Sequence, residues 1–106
     1  MNQGATIHAE QSVTIGSHVH VGDGVALCDT DFHEVDPGEG VHVAPVVIGD
    51  GVWLARSVTV LPGAVVGEGT VVAAGSVVRG EPAPWVVAAG APARPVRDVR
   101  TRGRRR

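Results

Sequence analysis

Aliphatic residues recur every six positions in two series, Ile15, Val21 and Leu27, then Ile48, Leu54, Val60, Val66, Val72 and Val78. Four positions after most of them stands a second small residue: Val19, Val25, Val52, Val58, Ala64, Thr70 and Ser76. Three positions after the aliphatic residue, the chain has Gly24, Gly51, Gly63, Gly69 and Gly75. Six is a multiple of two, and a strand changes face at every residue, so each aliphatic side chain returns to the same face. Glycine at the third place permits the positive φ that a sharp bend after each short strand requires. Each hexad therefore reads as one strand and one corner, and three hexads of six make a triangular coil of eighteen residues. Stacked coils pair their strands in parallel and align the aliphatic residues into ladders. The 3.6-residue period of an amphipathic helix is missing and β-branched Val abounds, which argues against helix.

Leu27 and Ile48 are twenty-one residues apart, which reads as one coil plus three. The segment of about 28–47 carries acids, Gly, Pro and two histidines, and is expected to be an extruded loop. Long segments that interrupt a regular fold are often functional, so the chemistry is sought there. After Val78, the run Glu81-Pro82-Ala83-Pro84-Trp85 removes N–H donors and closes the ladder. Residues 86–97 read as a final strand and cap. The organisation expected is an all-β domain over 1–97 followed by a disordered Arg-rich tail over 98–106.

Composition narrows this picture. A chain of 106 residues forms one small domain that buries a modest fraction of its surface, so oligomerisation is expected. With 3% aromatic residues and no Tyr, the core must be layers of small aliphatics. A single cysteine, Cys28, excludes an internal disulfide framework and fits a reducing cytoplasm. The N-terminus lacks a basic start followed by an apolar run, and no apolar stretch approaches the roughly 18 residues of a membrane span, so a soluble protein without a membrane partner is expected. The net charge of −2 divides unevenly: residues 1–93 hold Arg56 and Arg79 against ten acids, and residues 94–106 hold seven Arg against Asp98. A basic terminus of this kind reads as a solvated end, and no nucleic-acid partner is expected.

Three blocks join the hexads: Asp29-Thr30-Asp31-Phe32-His33-Glu34-Val35-Asp36-Pro37, Ile48-Gly49-Asp50-Gly51-Val52-Trp53-Leu54, and Ala89-Gly90-Ala91-Pro92-Ala93-Arg94. Together, over about residues 2–97, they resemble the maltose/galactoside O-acetyltransferase group of hexapeptide-repeat acyltransferases. The resemblance implies a single-stranded left-handed parallel β-helix, a homotrimer with active sites between prisms, and acetyl-CoA as co-substrate, with no permanently bound cofactor or metal. His33, in a His-x-x-Asp-Pro pattern, falls where the group has its base. Arg56 and Ala74 fall where it contacts the pantetheine arm, Arg94 at a usually basic position near the phosphates, and Asn2 at an acceptor-site asparagine. Two departures stand out: Arg56 replaces a usually small residue, and the helical segment ahead of the prism is missing.

Acyl transfer from a thioester to a hydroxyl needs a base for the hydroxyl proton, and imidazole, with an unperturbed pKa of about 6.5, suits that task near neutrality. Glu34, Asp36 and Glu39 are each candidates to orient the ring of His33. His8, His18, His20 and His42 read as surface or corner residues, and Cys28, next to an inner Leu, as packing. Trp53 and Trp85 either wall a ligand site or cover aliphatic surface. Two competing functions use the same prism: a γ-type carbonic anhydrase, which needs three zinc-binding histidines at a subunit interface, and a non-catalytic scaffold.

Overall fold

A computed structural model describes residues 4–34, 37–38 and 40–99, without the side chains of 32–34. The first coil contains β1 (Thr6–His8), β2 (Val13–Ile15) and β3 (His20–Val21). Above it lie β4 (Ala26–Cys28), then β7 (Val46–Ile48) and β8 (Trp53–Leu54), with β5 (Thr30–Glu34) and β6 (Val41–Val43) between β4 and β7. The third coil has β9 (Thr59–Val60), β10 (Val65–Val66) and β11 (Val71–Val72), and the last turn β12 (Val77–Val78), β13 (Val86–Gly90) and β14 (Ala93–Asp98).

Consecutive strands go to different faces, so each face collects one strand per coil. One sheet runs β1-β4-β9-β12, the second β2-β7-β10 and the third β3-β8-β11-β13-β14. All pairings within the coils are parallel, as in Val65↔Val47 and Val71↔Trp53, each a step of eighteen residues. The prism expected from the hexads is thus present. Residues 86–97 supply two strands rather than one, because β14 folds back antiparallel on β13.

The core is the pair of series read from the sequence. Leu27, Ile48, Leu54, Val60, Val66, Val72 and Val78 are fully enclosed, as are Val25, Val52, Val58, Ala64 and Thr70 from the second series. Ile15 and Val19, on the terminal coil, are only half-buried. Each enclosed Val or Leu contributes about 1.5–3 kcal/mol of burial, so the ladders, not the short strands, hold the prism together. Towards the C-terminal end the ladder turns polar and holds the cap. Thr70 Oγ1 donates to the carbonyl of Ala83 at 3.0 Å, and Ser76 Oγ accepts from Gly90 N at 3.1 Å.

The corner position has left-handed backbone whatever residue fills it. Gly24, Gly51, Gly63, Gly69 and Gly75 have φ between 69° and 82°, and His18 and Ser57, in the same place of their hexads, have φ of 59° and 58°. At Gly69 a second demand applies, because the Trp85 indole lies where a Cβ would be. Trp85 therefore closes the top of this corner column against the prism's own backbone.

Candidate active site

The interruption lies at one corner of the second coil. Ala26 pairs with Thr59, a step of thirty-three residues, fifteen more than the eighteen between Thr59 and Val77. The twenty-one residues between Leu27 and Ile48 are therefore one hexad plus fifteen inserted residues, not one coil plus three. The loop also has structure of its own. β5 and β6 form an antiparallel hairpin, with Thr30↔Val43 and Glu34↔Val41 in register and an irregularity between them. His33 lies on β5; its side chain is outside the described residues, as are those of Glu34, Asp36 and Glu39, and so is Asn2.

The hairpin's root is built around Asp29, a residue that the motif reading passed over. Its side chain is fully enclosed. Oδ1 accepts from Glu10 N at 2.7 Å, and Oδ2 accepts from Gln11 N at 2.6 Å and Ser12 N at 2.7 Å. Its main chain joins the same junction: Asp29 N donates to the carbonyl of His8 at 3.1 Å, and Ala44 N donates to the carbonyl of Asp29 at 2.9 Å. Val46 N in turn donates to the carbonyl of Ser12 at 3.1 Å. Desolvation pushes the Asp29 carboxyl upward, but the N–H groups of Glu10, Gln11, Ser12 and Asp29 itself outweigh it and hold the group below the ordinary carboxylate range. Next to it, burial and then the Asp29 charge push the Cys28 thiol up, which makes it a poor nucleophile and agrees with a packing role.

Arg56 and Ala74 occupy equivalent places on successive coils, joined where Gly75 N donates to the carbonyl of Arg56 at 2.9 Å. Both are exposed on the corner column. Arg94 lies on β14, two strands from β11 in the same sheet, and with Arg79, Gly80, Glu81, Pro82, Ala83 and Pro92 lines a cavity of about 570 Å³. Arg79, the residue after β12, was not among the sequence candidates; its inclusion depends on the cap folding back over the last coil. Trp53 stands outward, 54% exposed, in a row formed by the register of His20, Trp53, Val71 and Val87. Among the described residues no three His, Cys, Asp or Glu side chains are grouped so as to hold a metal ion. Nor is any helix there long and apolar enough to cross a membrane.

A stack of parallel triangular coils, broken by a hairpin and capped by an antiparallel pair of strands, is the architecture of a hexapeptide-repeat prism. The bacterial transferase hexapeptide family (six repeats) matches residues 45–80. The chain is 36% identical over 104 residues to galactoside O-acetyltransferase of Escherichia coli, covering 95% of this chain and 51% of the relative. It is 41% identical over 91 residues to a putative acetyltransferase of Schizosaccharomyces pombe, covering 82% and 44%. The solved structure of a galactoside acetyltransferase in complex with coenzyme A superposes with a TM-score of 0.85 at 35% identity, over 96% of this chain and 52% of that one. A polysialic acid O-acetyltransferase superposes with a TM-score of 0.76 at 33% identity, over 99% and 52%. The chain belongs to the hexapeptide-repeat acyltransferase family, and its prism is the left-handed parallel β-helix of that family. It spans about half the length of the relatives it matches.

Proposed function

We propose that this chain acts as a CoA-dependent O-acetyltransferase that moves an acetyl group from acetyl-CoA to a hydroxyl of a sugar or other small acceptor, with His33 as general base. The observation that carries the reading is the hairpin: fifteen inserted residues, anchored by a buried carboxylate, leave the stack of coils at one corner with a histidine on their first strand. A relative of the same architecture is a galactoside acetyltransferase bound to coenzyme A, and this chain follows it over 96% of its own length.

In this reading His33 takes the acceptor's hydroxyl proton as the oxygen attacks the thioester carbonyl. The tetrahedral adduct then collapses, the C–S bond breaks, and the proton passes to the departing CoA thiolate. The pantetheine arm runs along the corner column of Arg56 and Ala74, where the backbone is accessible and Ala74 adds no bulk. Arg94, with Arg79 beside it, meets the CoA phosphates as a charge-assisted donor, and Asn2 contributes to the acceptor side. Three copies associate through the outward apolar rows, Val47 with Val65 and Trp53 with Val71, so that each hairpin reaches a neighbouring prism. The cytoplasm, which supplies acetyl-CoA, is the compartment in which this activity belongs.

The test is a pair of measurements on the wild type and His33→Ala: calorimetric binding of CoA, and acetyl transfer to a panel of hydroxylated acceptors that begins with galactosides. The expected result is CoA binding by both proteins and transfer by the wild type alone. Near-normal transfer by His33→Ala removes the histidine from its role, and absence of CoA binding by the wild type removes the transferase reading.

A further inference from the structure

Resting on the reading of His33 as base, we propose that Asp29 is the positioning residue of the active site, the group that fixes where the hairpin leaves the prism and therefore where His33 stands.

The argument is one of connectivity. Asp29 is the last residue before β5, four positions ahead of His33. Its carboxylate gathers three consecutive N–H groups from the turn between β1 and β2. Its carbonyl takes Ala44 N, on the opposite stem, at 2.9 Å, and the Ser12 carbonyl takes Val46 N, where the chain rejoins the prism. Exit, re-entry and first coil are thus closed into a ring of hydrogen bonds through one side chain. A carboxylate presents about four acceptor sites on two oxygens, which matches three converging donors. An amide at that place offers one oxygen and turns its NH2 towards N–H groups it cannot accept from. The hairpin's own ladder is irregular between Thr30 and Glu34, whereas the hydrogen bonds at its root tie both stems to the first coil. Its aim is set at the root.

Such a residue acts on geometry, and displacement of a catalytic group by about 1 Å can cost roughly 100-fold in rate. Asp29→Asn is expected to lower kcat for acetyl transfer to p-nitrophenyl galactoside by about 10- to 100-fold, with KM for acetyl-CoA changed less than about twofold. Because the residue acts through His33, Asp29→Asn in a His33→Ala background is expected to cost nothing further. Ala44→Pro perturbs the same root from the other stem: it removes the N–H given to the Asp29 carbonyl and leaves the carboxylate intact, and it is expected to reproduce the loss of kcat. Circular dichroism and CoA calorimetry on each variant report whether the prism has formed.

A folded, CoA-binding Asp29→Asn with wild-type kcat overturns the proposal, as does an additive loss in the double variant. If Asp29→Asn does not fold, Ala44→Pro decides alone, and wild-type kcat in it overturns the proposal. His33→Ala by itself separates the two readings: an active His33→Ala fells the base assignment and the positioning role with it, whereas an inactive His33→Ala beside a fully active Asp29→Asn fells the positioning role only.

Discussion

Adjacent valines on β10 provide the most direct test of the prism, because Val65 and Val66 differ in nothing but the face they occupy. Val66 is fully enclosed between Ile48 and the ladder's interior, and Val65 is half-buried on the outer surface. Val→Ala removes the equivalent of two methylenes. At about 0.8 kcal/mol each, the transfer loss at Val66 is about 1.6 kcal/mol. Val66 is fully buried with Ile48 beside it in the ladder, which constrains relaxation, and a residual void of about 40 Å³ at about 24 cal/mol per Å³ adds about 1 kcal/mol. Val66→Ala is therefore expected to cost about 2–3 kcal/mol, and Val65→Ala under about 1. At about 4–8 °C per kcal/mol for a domain of this size, the melting temperature should fall by roughly 10–20 °C in the first variant and by a few degrees in the second. Thermal melts followed by circular dichroism at fixed protein concentration make the comparison. Equal shifts, or the larger shift at Val65, refute the register, since a one-residue slip exchanges the two faces.

Two other tests probe backbone and charge. Ser57→Gly relieves a left-handed non-glycine corner worth about 1–2 kcal/mol, against about 0.5–1 kcal/mol of added unfolded-chain freedom, so it is expected to stabilise by up to about 1 kcal/mol in denaturant titration; destabilisation contradicts the corner assignment. The Asp29 carboxyl is held below its ordinary value in the folded protein, so the stability it contributes is present above its unfolded pKa of about 3.9 and is lost as pH falls through the lower, folded one. Urea midpoints should therefore be insensitive to this group above about pH 5 and decline below about pH 4, and Asp29→Asn should flatten that acid limb.

The parts of the fold visible in the sequence were those set by local repetition. Ile48 through Val78 recur at a fixed interval, and every member of that series is enclosed. Corners were legible where Gly marked them and at His18 by its spacing, but not at Ser57, where the neighbouring coils impose a conformation that the residue itself does not prefer. The length of the insertion was misread for a related reason. Which strand lies beside which is a long-range pairing, and twenty-one residues divide equally well as eighteen and three or as six and fifteen until Leu27 is seen beside Val60. In the candidate site, His33 was singled out from its motif, and the structure places it on β5 of the hairpin. Asp29 was not, since its partners are backbone N–H groups of Glu10, Gln11 and Ser12, which carry no side-chain signature. Arg79 joins the Arg94 cavity through the cap expected after the final strand, whose form as a second, antiparallel strand, β14, the sequence did not show.

The odd number of inserted residues explains why the excursion is a hairpin with a clamped root and not merely a wider corner. Inward positions within each series recur at even spacing, so fifteen extra residues would turn the following strand inside out if they were absorbed within a ladder. They are absorbed outside it: the irregularity between Thr30 and Glu34 lies in the hairpin, and Leu27 and Ile48 both still face inward. Closing fifteen residues costs about 2.4 kcal/mol beyond a constant, and a loop twice as long would cost only about 0.6 kcal/mol more. The length and sequence of the excursion can therefore change at little expense to the prism, provided that its two stems meet at the same place. Asp29 and Ala44 are that meeting place, joined where Ala44 N donates to the Asp29 carbonyl, so the ladder residues on either side, Leu27 and Ile48, stay enclosed whatever the length of the arm between them.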